Sequence, residues 1–537
     1  MRTKISKLLL AVGCTATLML PTSCIEETFP TNAATEDQIA TSSKATEALL
    51  WAMPAFFNNH ATIGSDRHWD WGYGSIMHVR DVMTQDLVVV STGYDWYSSW
   101  AENSYLGENY IYGQFIWNYY WKFIQTANNM ITVVDPENAT DEQLGYLGVG
   151  HAFRALAYLD MAQMYEFLPN DAISGLNAAG NRVDSLTVPI VREGMTEEEA
   201  RNNPRAPRSE MAEFILEDLT KAEDYIVNLQ EASKVIPHLD AVYGLFARYY
   251  MWLGDYTNAK LYARKAIDNS SVQPMSESAC LDLVSGFNTL DAWMWGAATQ
   301  AEDDVVKTGI VNWASWMCPE ATFGYSAAGA TSMIDASLYA KISDTDFRKK
   351  MFKAPAGSAL DGATQYIYPA FADYYFPTYT SVKFRPGSGN IDDYTVGAST
   401  AYPIMRVEEM YFIEAEAAAH LNDAEGQALI NSFMQNYRDK QYNTTTVGDS
   451  LINEIVLQKR IEFWGEGLTF YDVKRLNMPV KRGYPGTNFG EAKCFNTIGR
   501  PAWMNICIVQ TEKNNNSALV GFENPDPTGC YEPWTEE

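Results

Sequence analysis

Two stretches concentrate aromatic side chains where no helical period explains them. Trp69, Trp71 and Tyr73 lie beside glycines, and Tyr94, Trp96, Tyr97 and Trp100 crowd a short segment with Asp95 and Asn103. Large rings on loops bury poorly without a reason. Flat rings suit the apolar faces of sugar rings, while neighbouring Asn, Asp or backbone groups take the hydroxyls; an apolar platform with few polar groups lines small-ligand sites generally. The apolar run Leu87-Val88-Val89-Val90 would anchor the base of the second loop. Trp313, Trp316, Phe323, Tyr325, Tyr374, Tyr375 and Tyr379 are a further supply of rings. The candidate ligand-binding set is therefore Trp71, Tyr73, Tyr94, Trp96, Tyr97, Trp100 and Asn103, with Trp313, Trp316 and Tyr374. The competing role is packing of loops onto a scaffold, the preferred reading for Trp69 and Trp293. Some rings would also face a partner protein, since interfaces enrich Trp and Tyr.

Catalytic patterns are missing by comparison. The six histidines, at 60, 68, 78, 151, 238 and 420, show no HExxH or other metal-ligand spacing and read as structural or surface residues. Gly324 to Gly329 misses GxSxG by one position, and neither GxGxxG nor a P-loop occurs. Among 67 acidic residues no pair stands out for glycoside hydrolysis. The expectation is a binding protein, not an enzyme, with no cofactor and no metal.

Charge narrows the partners. The formal charge of −28 argues against nucleic acid or anionic lipid. At the start of the chain, Arg2, Lys4 and Lys7 precede an apolar stretch from Leu8 to Leu20 that is too short to span a bilayer. Pro21-Thr22-Ser23-Cys24 then has the small residues before a cysteine that lipoprotein processing requires, so Cys24 is the expected lipid anchor; Cys14 is the competing position. Loss of residues 1–23 moves the charge from −28 to −31. Cys280, Cys318, Cys494, Cys507 and Cys530 remain, odd in number and without CxxC, so neither a zinc site nor a disulfide framework is indicated.

The elements that must position the rings are helical. Thr35 with Gln38 forms a possible capping box opening a helix through Ala45, Leu49, Leu50 and Met53. Helical periods run from Tyr112 to Val134, with Phe115, Trp117, Tyr120 and Trp121 as core, and from Glu142 to Tyr165. From Ala241 to Asp268 a helix lined by Ala247, Tyr250 and Leu253 turns at Gly254-Asp255-Tyr256 into one lined by Ala259, Ala263 and Ala266, the tetratricopeptide pattern. A similar pair spans Met405 to Leu421 and Glu425 to Tyr437; its apolar seam carries Glu414, which needs a partner among Arg406, Arg460 and Arg475. The fold class expected is mostly α, a tetratricopeptide-like scaffold of helical pairs with long irregular aromatic-rich inserts. After the signal, residues 24–537 form one domain, with scaffold at about 110–270 and 403–480 and an insert at about 270–402.

Near the end stands Gln458-Lys459-Arg460-Ile461-Glu462-Phe463-Trp464-Gly465-Glu466-Gly467-Leu468, continued by Phe470-Tyr471-Asp472-Val473-Lys474-Arg475-Leu476. It reads as a helix that stops at a glycine pair and restarts, with Glu462 and Arg475 placed to pair across the break. This string resembles the C-terminal signature of the SusD/RagB family of nutrient-binding outer-membrane lipoproteins. The Ala152 to Tyr165 helix, the helical pairs and the Asn524-Pro525-Asp526-Pro527 tail are similar too, and Ile25-Glu26-Glu27 resembles the surface-export tag of Bacteroidetes lipoproteins. The resemblance implies a lid on a SusC-like TonB-dependent importer in the outer membrane, facing the exterior. It implies a glycan as ligand, with peptide capture of the RagB kind as the alternative; a lid without affinity of its own and a hydrolase are further rivals.

Overall fold

The computed structural model describes residues 42–64, 67–89, 92–370 and 376–536. Eleven helices carry the argument: α1 (Ser43–Phe56), α2 (Tyr73–Val82), α3 (Ile111–Val133), α4 (Asp141–Tyr165), α5 (Arg208–Ile226), α6 (Leu239–Leu253), α7 (Tyr256–Asn269), α8 (Val407–Leu421), α9 (Asp423–Tyr437), α10 (Asp449–Glu462) and α11 (Thr469–Arg475). Those read from the hydrophobic period agree with them to within a few residues. The Thr35–Gln38 capping box lies outside the described residues. Helix α5 was not anticipated, although Met211, Phe214, Ile215, Leu219 and Ala222 are buried at helical spacing.

Helices adjacent in sequence pack as neighbours in space: α3 on α4, α4 on α5, α5 on α6, α6 on α7, and α8 on α9. The order survives the insert, because α7 packs directly on α8. Small side chains permit this. Ala259, Ala263 and Ala266 of α7 are fully buried, and a Cβ on Gly148 of α4 would lie 2.5 Å from the Ile226 backbone nitrogen at the end of α5. Caps fix the starts. Thr140 and Gln143 form a capping box at α4, while Asp255 and Asn422 accept backbone N–H groups at α7 and α9.

The insert is irregular, but it is stitched to the scaffold by two short antiparallel ladders. Strand β1 (Leu87–Val89) pairs with β3 (Ser332–Ile334), Val88 opposite Met333, and β2 (Trp295–Ala298) pairs with β4 (Ala401–Met405). Leu87 to Val89 of the apolar run thus anchor their loop as expected, through a partner strand in the insert. One continuous core joins scaffold helices to insert residues, and a smaller one lies between α8, α9 and α10, where Ile452, Val456 and Phe463 meet Phe412 and Phe433.

The glycine break between α10 and α11 is present, with Gly467 at φ +71° and a Cβ there only 2.8 Å from the Met77 Cα. The ion pairs around it differ from expectation. Glu462 accepts from Arg348 (3.1 Å), Arg406 (3.0 Å) and Arg438 (2.7 Å). Arg475 turns instead to Asp472 (2.7 Å) and Glu416, because it faces α8 and not the end of α10. Glu414 pairs with Arg264 of α7 (2.8 Å), since its seam is the α7–α8 contact. Arg460 pairs with Asp86 (2.6 Å). The five described cysteines are free.

Candidate functional site

The ring-bearing loop after β1 is fastened from the far end of the chain. Arg482 donates to the carbonyls of Val82 (2.9 Å), Thr84 (2.8 Å) and Ala101 (2.6 Å), and Trp503 Nε1 to that of Met83 (2.9 Å). Lys493 donates to the Val89 carbonyl (2.9 Å) and pairs with Asp95. Asn103, at φ +49°, donates through Nδ2 to the Pro527 carbonyl (2.9 Å). Asp95 and Asn103 are therefore anchors of the loop and not polar groups turned to solvent.

The aromatic side chains of this loop form a connected column from core to surface. Trp100 is 1% exposed, edge-on to Trp69 (5.7 Å between ring centroids) and to Tyr112 (4.9 Å). Next comes Tyr97, whose hydroxyl meets Trp71 Nε1 and Ser75 Oγ, each at 2.8 Å. Tyr97 stands perpendicular to Trp316 (4.9 Å), and Trp316 stacks on Tyr325 (4.6 Å). The Tyr325 hydroxyl bonds His68 Nδ1, and His68 lies flat under Trp96, centroids 4.6 Å apart and planes within 11°. Trp96 is 39% exposed and Tyr94 53%, with Tyr94 6.3 Å from Tyr325.

Solvent-facing rings are thus found at Tyr94 and Trp96. Trp71, Tyr73, Tyr97, Trp100, Asn103, Trp313 and Trp316 are buried. For each the reason is a specific contact. Tyr73 donates to Asp160 (2.7 Å), which also accepts from Tyr120, Tyr471 and Arg80. Trp313 stacks on Tyr402 (4.8 Å) and stands edge-on to Phe384 (5.1 Å). Trp69 and Trp293, read as packing residues, are buried. Tyr374 and Cys24 lie outside the described residues. Sequence reasoning passed over His68, the ring on which Trp96 rests. No local signal marks it, since its partner Tyr325 is 257 residues away.

His78 lies beneath the platform, edge-on to Tyr97 (4.4 Å), with neither ring nitrogen hydrogen-bonded among the described residues. Burial pushes its pKa down to about 3. Between that value and the ordinary one of ~6.5 the unfolded chain binds a proton that the folded protein refuses, so stability falls as pH drops through this window, by up to ~1.4 kcal/mol per pH unit. Melting curves between neutral and mildly acid pH should show this slope, and His78→Gln should flatten it; an unchanged slope in that variant would remove His78 as the cause.

Among the described residues, no group of three or more His, Cys, Asp or Glu is placed to hold a metal ion. No helix among them is long and apolar enough to cross a membrane.

Two family models match separate parts of the chain. One, described as the SusD family, covers residues 360–518, and the other, described as "Starch-binding associating with outer membrane", covers residues 59–251. The chain belongs to the SusD/RagB family. The two matches do not overlap. The first takes in α8 to α11 with Glu462, and the second takes in His68, Tyr94 and Trp96. Solved structures agree on the SusD fold. A SusD-like carbohydrate binding protein from Bacteroides vulgatus has a TM-score of 0.70 at 21% identity, over 90% of this chain and 98% of that one. A protein from the same species described as sugar binding gives 0.64 at 18% identity, over 88% and 97%. A SusD superfamily protein from Bacteroides fragilis gives 0.63 at 18% identity, over 89% and 99%. At such identities the likeness concerns the fold. No curated protein matches the chain.

Proposed function

We propose that this protein captures nutrient oligomers at the cell surface, glycans before peptides, and hands them to a SusC-like TonB-dependent importer. The observation that carries the reading is the Trp96 ring, half in solvent and held flat on His68 at the end of a buried aromatic column. A sugar stacked on it would meet a surface that is already ordered, so little conformational freedom is lost on binding. Tyr94 offers a second exposed ring within the same loop. The starch-binding description of the model matched at 59–251 supports a glycan. Capture close to an importer's mouth would raise the local ligand concentration, which favours a second contact with the same oligomer.

Calorimetry with a panel of oligosaccharides, and peptides as controls, tests this. Trp96→Ala should weaken binding by ~1–3 kcal/mol, the worth of one stacked ring, while the melting temperature stays put. Unchanged affinity with an intact fold would take the ring out of the ligand site and leave it to an importer interface.

Cys24 is proposed as the lipid anchor, on the strength of the apolar signal and Thr22-Ser23 before it. Mass spectrometry of the membrane fraction should find acyl chains on this residue. A Cys24→Ala protein still held in the membrane by acyl chains would end the assignment.

A further inference from the structure

A cavity of about 340 Å³ opens between α4, α6 and α11, beside Arg500. That is within the size range of small-ligand sites. Its charge is opposite to that of the chain: Arg208, Lys474, Arg475 and Arg500 line it against one carboxylate, Glu166, in a protein of formal charge −28. Two of these cations are compensated, Arg208 by Glu166 (3.2 Å) and Arg475 by Asp472 (2.7 Å). The other two are not. Lys474 is buried, and its ammonium donates to the Met164 carbonyl (3.0 Å). Arg500 donates from Nε to Asn477 Oδ1 (3.0 Å). Among the described residues neither has a carboxylate within ion-pair distance.

A buried cation without a counter-charge is costly, and an ammonium with three N–H groups and one acceptor is under-used. Burial, opposed by Glu166 and reinforced by Arg500 and Arg205, holds the Lys474 pKa well below its ordinary value. Burial lowers Arg500 as well. The remaining wall carries Trp252, Tyr256 and Leu168, with Gln163 as a further polar group.

We propose that this cavity binds a small oxyanion, its carboxylate or sulfate lying between Lys474 and Arg500 and any attached ring resting against Trp252 and Tyr256. The site shares no residue with the Trp96 platform.

Titration calorimetry on the folded protein with glucuronate, inorganic sulfate and glucose tests it. Saturable binding of an anion, and none of glucose, is expected. Arg500→Gln, a change at a half-buried side chain outside any ion pair, should weaken it about tenfold or more, the loss of one charge-assisted hydrogen bond. Trp96→Ala should leave it unchanged, which separates this site from glycan capture. Glucuronate ahead of sulfate assigns an acid carried on a ring, and sulfate ahead assigns a free inorganic ion. No saturable binding of either anion, or undiminished binding in both Arg500→Gln and Lys474→Gln, overturns the proposal.

Discussion

Replacing Glu462 by glutamine should destabilise the protein by ~3–5 kcal/mol, because one charge would leave a buried cluster that is balanced. Lys383, Arg348, Arg406 and Arg438 meet Asp346, Glu408, Glu462 and Glu466, four cations against four carboxylates, all buried. Glutamine keeps the shape but leaves one positive charge in excess. It also turns an amide N–H₂ toward guanidinium donors that need acceptors. For a chain of this length such a loss lowers the melting temperature by roughly 3–5 °C. Ligand preference should be untouched, since nothing in the cluster reaches the Trp96 platform.

The same carboxyl gives an acid signature. Burial alone would raise its pKa, but Arg438, Arg406 and Arg348 outweigh burial and hold it well below the ordinary carboxylate value. A depressed carboxylate contributes stability that is complete above its unfolded value of ~4.3 and is lost as pH falls through the lower folded one. The native protein should therefore lose stability below about pH 4 more steeply than Glu462→Gln does. Above about pH 4 only His78 contributes its slope, so the two can be resolved in one series of melts. A Glu462→Gln protein that melts like the native one would show that the cluster does not need its balance.

Trp100→Ala should cost a comparable ~3–5 kcal/mol, the range for emptying a buried aromatic site. Its ring is enclosed by Trp69, Tyr112 and Tyr97, and the column above it rests on that packing. Trp96→Ala, four residues earlier in the same loop, should change stability by no more than ~0.5 kcal/mol, as an exposed side chain does. Differential scanning calorimetry of the two variants side by side decides this. If Trp100→Ala kept the native melting temperature and lost ligand, the ring would belong to the binding surface after all.

That pair of tryptophans shows where sequence reading succeeds and where it stops. Density of rings without a helical period picks out the segment that carries the exposed rings of Tyr94 and Trp96. It could not say which rings point outward, because the loop rolls inward on fasteners from residues 482–527, and these are invisible to a local window. Helices α3, α4 and α6 to α9 were legible because their periods are local and strong. Proximity in sequence points to Arg475 as the partner of Glu462 across the glycine break, whereas the structure gives Glu462 to Arg348, Arg406 and Arg438, the first of them 114 residues away. Pairing in a folded chain follows which faces meet, and only a repeat as regular as the tetratricopeptide pair makes that predictable. His68 shows the other side of this limit: a lone histidine just before Trp69 has no period to betray that it supports the ring of Trp96.

The fastening of this loop also orders events in time. Asn103 waits for Pro527, which lies 424 residues later in the chain. At a synthesis rate of ~5–20 residues per second, roughly 20–80 s separate the making of the loop from the making of its last clasp. Throughout that interval the loop exists without the clasp that Pro527 provides. A chain truncated before Pro527 would therefore leave Asn103 without its partner, and it should bind chaperones more than a chain that carries the clasp.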